Sequence, residues 1–315
     1  MVSVKNAGSG LARKAGPAAA VGDSAPAAPA LIALYDDSKH VDSRETVKVG
    51  GLEFRKNNGG NPAVVDQTER WLNSLGYRVE RLTRESLNAL PDLSRYQAMV
   101  MPGGFAFPGY TLCISEKAKA LLRREVEHGL VVAAICAGEY ALTDCVTYEG
   151  TTYGAESGYT MGLLPWRIWG PVGELAHYGE WRPTTIAINA HAAVGAPVES
   201  FEEGGGKPPV VIAPIWYAAG GVPIVPPHQA LDASTNALSP AHAQVEIVAT
   251  YAEPGTSAYG APAVVTYRFG EGQVIGWGPH PEGNPFAASG TGFSEPTSET
   301  SKLFKSLLDS AIRRE

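Results

Sequence analysis

From Ala30 to Cys136 the chain alternates short apolar runs with amphipathic segments, and this alternation limits the fold more than any other feature. "ALIALYDDS" (30–38) is an apolar run closed by polar turn residues, the pattern of a strand buried on both faces. Pro62 to Leu75 places Val64, Val65, Trp71 and Leu72 at helical spacing, with Gly76 as the stop, and "YRVERLT" then alternates like a strand. "YQAMVMPGG" (96–104) predicts a third strand that ends in a glycine pair. Ser115 caps a helix through "EKAKALLRREVEHG" that stops at Gly129, and "LVVAAIC" predicts the fourth strand. Strands separated by helices in this way form an open, mostly parallel sheet with helices on both faces, in which ligands gather beyond the carboxyl ends of the strands. The glycine pair and Cys136 fall at such ends.

The alternation fails between 146 and 243, a stretch dense in Gly, Pro, Trp and Tyr with strand-like pieces at "TTIAIN", "PVVIAPIWYAAG" and "PIV". It reads as a β-rich insertion within one α/β domain spanning 30–315, lining the site. The tail resumes a pattern: "VEIVATYA" and "APAVVTYRF" alternate, "GEG" makes a tight turn, "QVIGWGPHPEG" follows, and "SETSKLFKSLLDSAIRRE" is an amphipathic helix. Residues 1–29, rich in Ala, Gly and Pro, read as a flexible leader rather than a signal peptide.

Composition narrows the function. With 25 Lys and Arg against 32 Asp and Glu, a net charge of -7, the chain has no large basic face for nucleic acid. No segment approaches the roughly 20 apolar residues of a membrane helix, so no membrane partner is expected. Three cysteines, at 113, 136 and 145, match neither a disulfide framework nor zinc spacing, and an odd count suits a reducing compartment, by default the cytoplasm. His177, His191, His228 and His242 show no metal-ligand spacing. Neither a metal nor a cofactor is expected.

Three short motifs carry the chemistry. In "AAICAG", Cys136 is either a core thiol or a nucleophile on a strand-to-helix turn, where small neighbours permit the turn and the helix N-terminus favours a thiolate. "GPHPEG" puts His280 at a strand end as a candidate base, with Glu282 able to turn back and hold the imidazole. "MPGGF" sets Gly103 and Gly104 after a strand, where backbone N–H groups can approach a ligand closely, although the pair also suits a plain turn. The three together, in the order Gly-Gly, Cys, His-x-Glu and each at a predicted strand end, outweigh their separate plain readings.

Strand-PGG, a helix, strand-"ICAG" and a late "GPHPE" resemble the class I glutamine amidotransferase-like superfamily, and look most like its biotin-protein ligase N-terminal domain type, over about residues 30 to 145 and 245 to 312. The resemblance implies a flavodoxin-like fold and a Cys-His-Glu triad: Cys136 as nucleophile, His280 as base and then acid, Glu282 as the orienting carboxylate. It further implies an oxyanion hole from backbone N–H groups of Gly103, Gly104 and Ala137. Ala134 stands where the superfamily's elbow usually has glycine, and the glutamine-binding wall has no match.

The expected function is cysteine-dependent hydrolysis or acyl transfer on an amide or related bond of a small molecule, with an acceptor enzyme on a separate chain if ammonia or an acyl group is passed on. The alternatives are a ligand-binding or regulatory member of the fold, and a hydratase- or deglycase-like activity, against which the "HPE" segment argues. Tyr110, Asp36 and Glu139 are candidate substrate-binding residues. Tyr110, after the glycine pair, would line the pocket; the other two also have plainer roles, Asp36 in a turn and Glu139 against a helix dipole. Cys113 reads as a loop thiol and Cys145 as packing at the far end of the short helix. Trp166, Trp169, Trp181 and Trp216 form either a pocket wall or core.

Overall fold

The computed structural model describes residues 28–40, 46–49, 52–55, 61–104, 111, 113–148, 151–154, 160–170, 175, 180–189, 210–218, 220–224, 245–286 and 296–313. The apolar runs of the N-terminal half become strands because their side chains are covered on both faces: every residue of β1 (Leu31–Asp36), β5 (Ala98–Met101) and β6 (Val131–Ile135) is buried. A hairpin of β2 (Thr46–Val49) and β3 (Leu52–Arg55) stands apart as its own small sheet, and β4 (Arg78–Thr83) forms one edge of the main one. Helix α1 (Pro62–Ser74) starts where the Asn61 side chain accepts the Ala63 N–H with proline in the first turn, and the chain leaves it through Gly76 at φ +92°. Short α2 (Arg84–Asn88) follows β4, and α3 (Glu116–Glu127) begins at Ser115, whose side chain accepts the Ala118 N–H.

The main sheet has nine strands in the order β11-β10-β13-β14-β15-β6-β5-β1-β4, completed by β10 (Arg182–Asn189), β11 (Val210–Tyr217), β13 (Val245–Tyr251), β14 (Pro262–Phe269) and β15 (Gly272–Trp277). It corrects the expectation of a mostly parallel sheet. The pairings β4-β1, β1-β5, β5-β6 and β6-β15 are parallel, whereas β15-β14, β14-β13, β13-β10 and β10-β11 are antiparallel. The turn at Gly270 is too short for a crossover, so β14 and β15 must run antiparallel.

In the parallel half, β1 leads through α1 toward one edge, while β4 to β5 and β5 to β6 run toward the other. Right-handed crossovers therefore put α1 on one face and α2 and α3 on the opposite one. α2 and α3 touch. The terminal helix α5 (Ser298–Ile312) joins the α1 face, with Trp71 and Phe304 rings 4.5 Å apart and Trp277 beside Phe304 at 5.9 Å. Their burial, with Tyr35, Leu34 and Leu72, makes the core that holds the sheet flat to its helices.

The β-rich stretch divides. β10 and β11 extend the main sheet, and a second four-stranded sheet forms from β12 (Val222–Ile224), β9 (Leu164–Gly170), β7 (Thr143–Tyr148) and β8 (Thr151–Gly154). Cys145 lies within β7 rather than at the end of a helix, because the helix after Cys136, α4 (Ala137–Leu142), is only six residues long. Among the described residues no helix is long and apolar enough to cross a membrane. Residues 1–27 of the expected leader lie outside the described residues.

Candidate active site

Strands β5, β6 and β15 are neighbours and parallel, so their carboxyl ends bring Gly103, Cys136 and His280 to one place. Cys136 sits alone between β6 and α4, at φ +50° and ψ -110°. An L-residue avoids this region, and a cysteine held there is the strained strand-to-helix turn that lifts a side chain off the end of a sheet. Two hydrogen bonds hold it: its N–H donates to the Trp277 carbonyl at 2.7 Å, and its own carbonyl accepts the Glu139 N–H at 3.0 Å. The thiol is buried and donates to the Ala218 carbonyl at 3.5 Å.

His280 follows β15. Its N–H donates to the Trp216 carbonyl at 2.7 Å, which ties the loop to the end of β11, and Nδ1 meets Glu282 Oε1 at 2.8 Å. Gly283 at φ +88° lets the chain reverse so that a carboxylate two residues on can reach the ring. From α1, Gln67 Nε2 donates to the Glu282 carbonyl at 2.9 Å and steadies the reversal. With Nδ1 engaged by the carboxylate, Nε2 is the nitrogen left for chemistry, and it has no hydrogen-bond partner among the described residues. Burial opposes the imidazolium, but the Glu282 carboxylate and the Cys136 side chain outweigh it and raise the His280 pKa to about 10.

Gly103 flanks both groups. A Cβ there would lie 2.4 Å from His280 Cε1 and 3.3 Å from Cys136 Cβ, so ring and thiol approach the same stretch of backbone only because no side chain intervenes. Gly104 follows it in an isolated bridge position, and Ala137 is the buried first residue of α4. The residues expected of a triad and of an oxyanion hole thus meet at one strand-end cluster.

The other expected residues fare differently. Asp36 ends β1, two strands from β6, with its carboxylate bound to Arg81 at 3.2 Å and to the Ser38 N–H at 3.0 Å. Glu139 is fully buried against Gly276 of β15, and neither carboxyl oxygen has a hydrogen-bond partner among the described residues. Burial first, and the charge of Cys136 second, push its carboxyl well above the usual range. Tyr110, His177, His191, His228 and His242 lie outside the described residues. Among the described residues no group of three or more His, Cys, Asp or Glu is placed to hold a metal ion.

Sequence reasoning did not find the cover on this cluster. The turn after β11 crosses the backbone after β15 so closely that a Cβ on Gly278 would lie 2.3 Å from both the Gly221 carbonyl oxygen and the Tyr251 hydroxyl. Tyr217 donates to the Gly220 carbonyl at 2.6 Å and Tyr251 to the Gly221 carbonyl at 3.1 Å, and this pinned turn carries Ala218. The pair Gly220-Gly221 was the available signal. Trp181, one of the four tryptophans considered as a wall, stacks on the His280 ring.

No family model matches the chain, and no curated protein matches it. Solved structures align with it at low identity. A β-galactosidase from Rahnella sp. R3 shares 14% identity over 89% of this chain and 31% of its own, with a TM-score of 0.48. A GMP synthase subunit-like protein from Thermoplasma acidophilum shares 12% over 90% and 94%, with a TM-score of 0.44. A ThuA-like protein from Bacteroides uniformis shares 11% over 91% and 93%, with a TM-score of 0.41. The chain spans less than a third of the β-galactosidases it aligns with.

Proposed function

We propose that the protein is a cysteine-nucleophile hydrolase or acyl transferase acting on an amide or related carbon–nitrogen or acyl bond of a small molecule. The observation that carries this reading is a cysteine at φ +50° on a strand-to-helix turn, beside a buried His280–Glu282 pair with 2.8 Å between Nδ1 and Oε1. The proton of Cys136 passes to His280 Nε2 before attack, the sulfur then adds to the carbonyl carbon, and backbone N–H groups near Gly103, Gly104 and Ala137 receive the oxyanion. Collapse of that intermediate breaks the bond to nitrogen, and His280 returns the proton to the leaving amine. Water, deprotonated by His280, then attacks the thioester, and the thiol departs with its proton restored. Glu282 holds the ring in one tautomer and balances its charge.

The "PGG", "ICAG" and "GPHPE" motifs support the biotin-protein ligase N-terminal domain type as the nearest branch. A thiol nucleophile suits a reducing cytoplasm, and an acceptor enzyme is required only if the released group is transferred. A second reading, ligand binding without turnover, is favoured by one observation: thiol, imidazole and carboxylate are all buried, with the Ala218 carbonyl on the thiol.

The deciding measurement is alkylation of Cys136 by iodoacetamide from pH 5 to 9, read by peptide mass spectrometry, in wild type and His280→Ala. Activated nucleophilicity gives fast labelling near pH 7, slowed by about 100-fold in the variant, while Cys113 and Cys145 react as ordinary thiols. Labelling at ordinary rates, indifferent to His280→Ala, removes the enzyme reading in favour of the binding one.

A further inference from the structure

The β-rich stretch sends one aromatic side chain to the imidazole. Trp181, just before β10, packs on the His280 ring with centroids 4.3 Å apart and planes 42° apart. Phe286, on the loop beyond Glu282, meets the indole at 5.6 Å and 61°, and that loop is fixed by Asn284 Oδ1, which accepts the Phe286 N–H at 2.8 Å. The indole thus contacts both the imidazole and Phe286. Glu282 holds the imidazole at Nδ1, and Trp181 packs against the ring itself.

The charged or titratable groups that face the ring are Glu282 and Cys136. Glu180 and Arg182, which flank Trp181, pair with each other at 3.2 Å on the exposed side. The end of β11 presents a backbone carbonyl, and Gly103 has no side chain. Trp181 thus supplies an aromatic surface against the ring, and an indole face attracts a cation through its quadrupole.

We propose that Trp181 is a positioning residue for His280: the indole fixes the imidazole plane so that Nε2 stays on the Cys136 side, and its face favours the imidazolium. The proposal rests on the reading of Cys136 and His280 as nucleophile and base. It gives the insertion a part in the chemistry, acting through the histidine rather than touching the reacting atoms.

The test uses the full chain as wild type, Trp181→Leu and Trp181→Phe. The His280 Cε1–H resonance, assigned with His280→Ala, is titrated by NMR, and Cys136 alkylation is followed against pH in the same samples. Trp181→Leu lowers the His280 midpoint by roughly one pH unit and slows Cys136 alkylation at pH 7 by about tenfold. Trp181→Phe, which keeps a ring face, retains most of both. A midpoint unmoved by Trp181→Leu, or an equal loss in both variants at unchanged thermal midpoints, reduces Trp181 to packing and overturns the proposal. Because the NMR titration does not depend on a reactive thiol, an inert Cys136 with a shifted His280 midpoint would sink the nucleophile reading alone.

Discussion

Cys136 shows how much backbone geometry one side chain can require. A non-glycine residue at φ +50° costs about 1–3 kcal/mol, which the elbow's hydrogen bonds to Trp277 and Glu139 offset. Close to it, Glu139 carries a second cost, a carboxyl group buried with no hydrogen-bond partner among the described residues. Because its folded pKa lies above the unfolded value of 4.5, the associated stability is fully present below pH 4.5 and is lost as pH rises toward the folded pKa. Glu139→Gln, neutral at every pH, is expected to match wild type at pH 4 and to gain on it steadily toward pH 8 in urea unfolding; parallel curves at both pH values would show that Glu139 ionises normally. The strand-end positions of Cys136 and His280 were legible in the sequence because each sits in a short motif with small neighbours. The burial of Glu139 was not, since an acid in a first helical turn looks the same whether it faces water or a glycine on the sheet below.

At the scale of elements, the turn after β11 is held by two tyrosine hydroxyls and a backbone crossing. Tyr251→Phe keeps the ring's packing against Tyr217 at 6.0 Å but leaves the buried Gly221 carbonyl without its donor. The expected loss is about 1–3 kcal/mol by urea unfolding, and a loss below a few tenths would mean that the carbonyl finds another partner. The parallel half of the sheet could be read from the sequence because its strands are covered on both faces and appear as unbroken apolar runs. β10 and β11 were visible as pieces, yet their place at the sheet edge was not, since antiparallel strands join through contacts that no local periodicity encodes. β7 escaped notice because an apolar run continuing from β6 through α4 masks the change of period at Thr143.

For the whole molecule, α5 closes the face that α1 begins. Phe304 lies between Trp71 and Trp277, and its truncation in Phe304→Ala is expected to cost about 3–5 kcal/mol, measured by the shift of the urea midpoint at constant slope. A cost below 1 kcal/mol would show that α5 docks independently of the sheet.

The place of β15 sets when the Cys136 elbow can be completed. This strand joins the parallel half to the antiparallel half, and the carbonyl of its last residue, Trp277, receives the Cys136 N–H. On the ribosome, Cys136 is synthesised long before β15, and until that strand slots in beside β6 the cysteine lacks both its backbone partner and its histidine. A nascent chain therefore holds Cys136 without the elbow geometry, and on the proposed function an activated thiol is expected only once synthesis has passed Glu282.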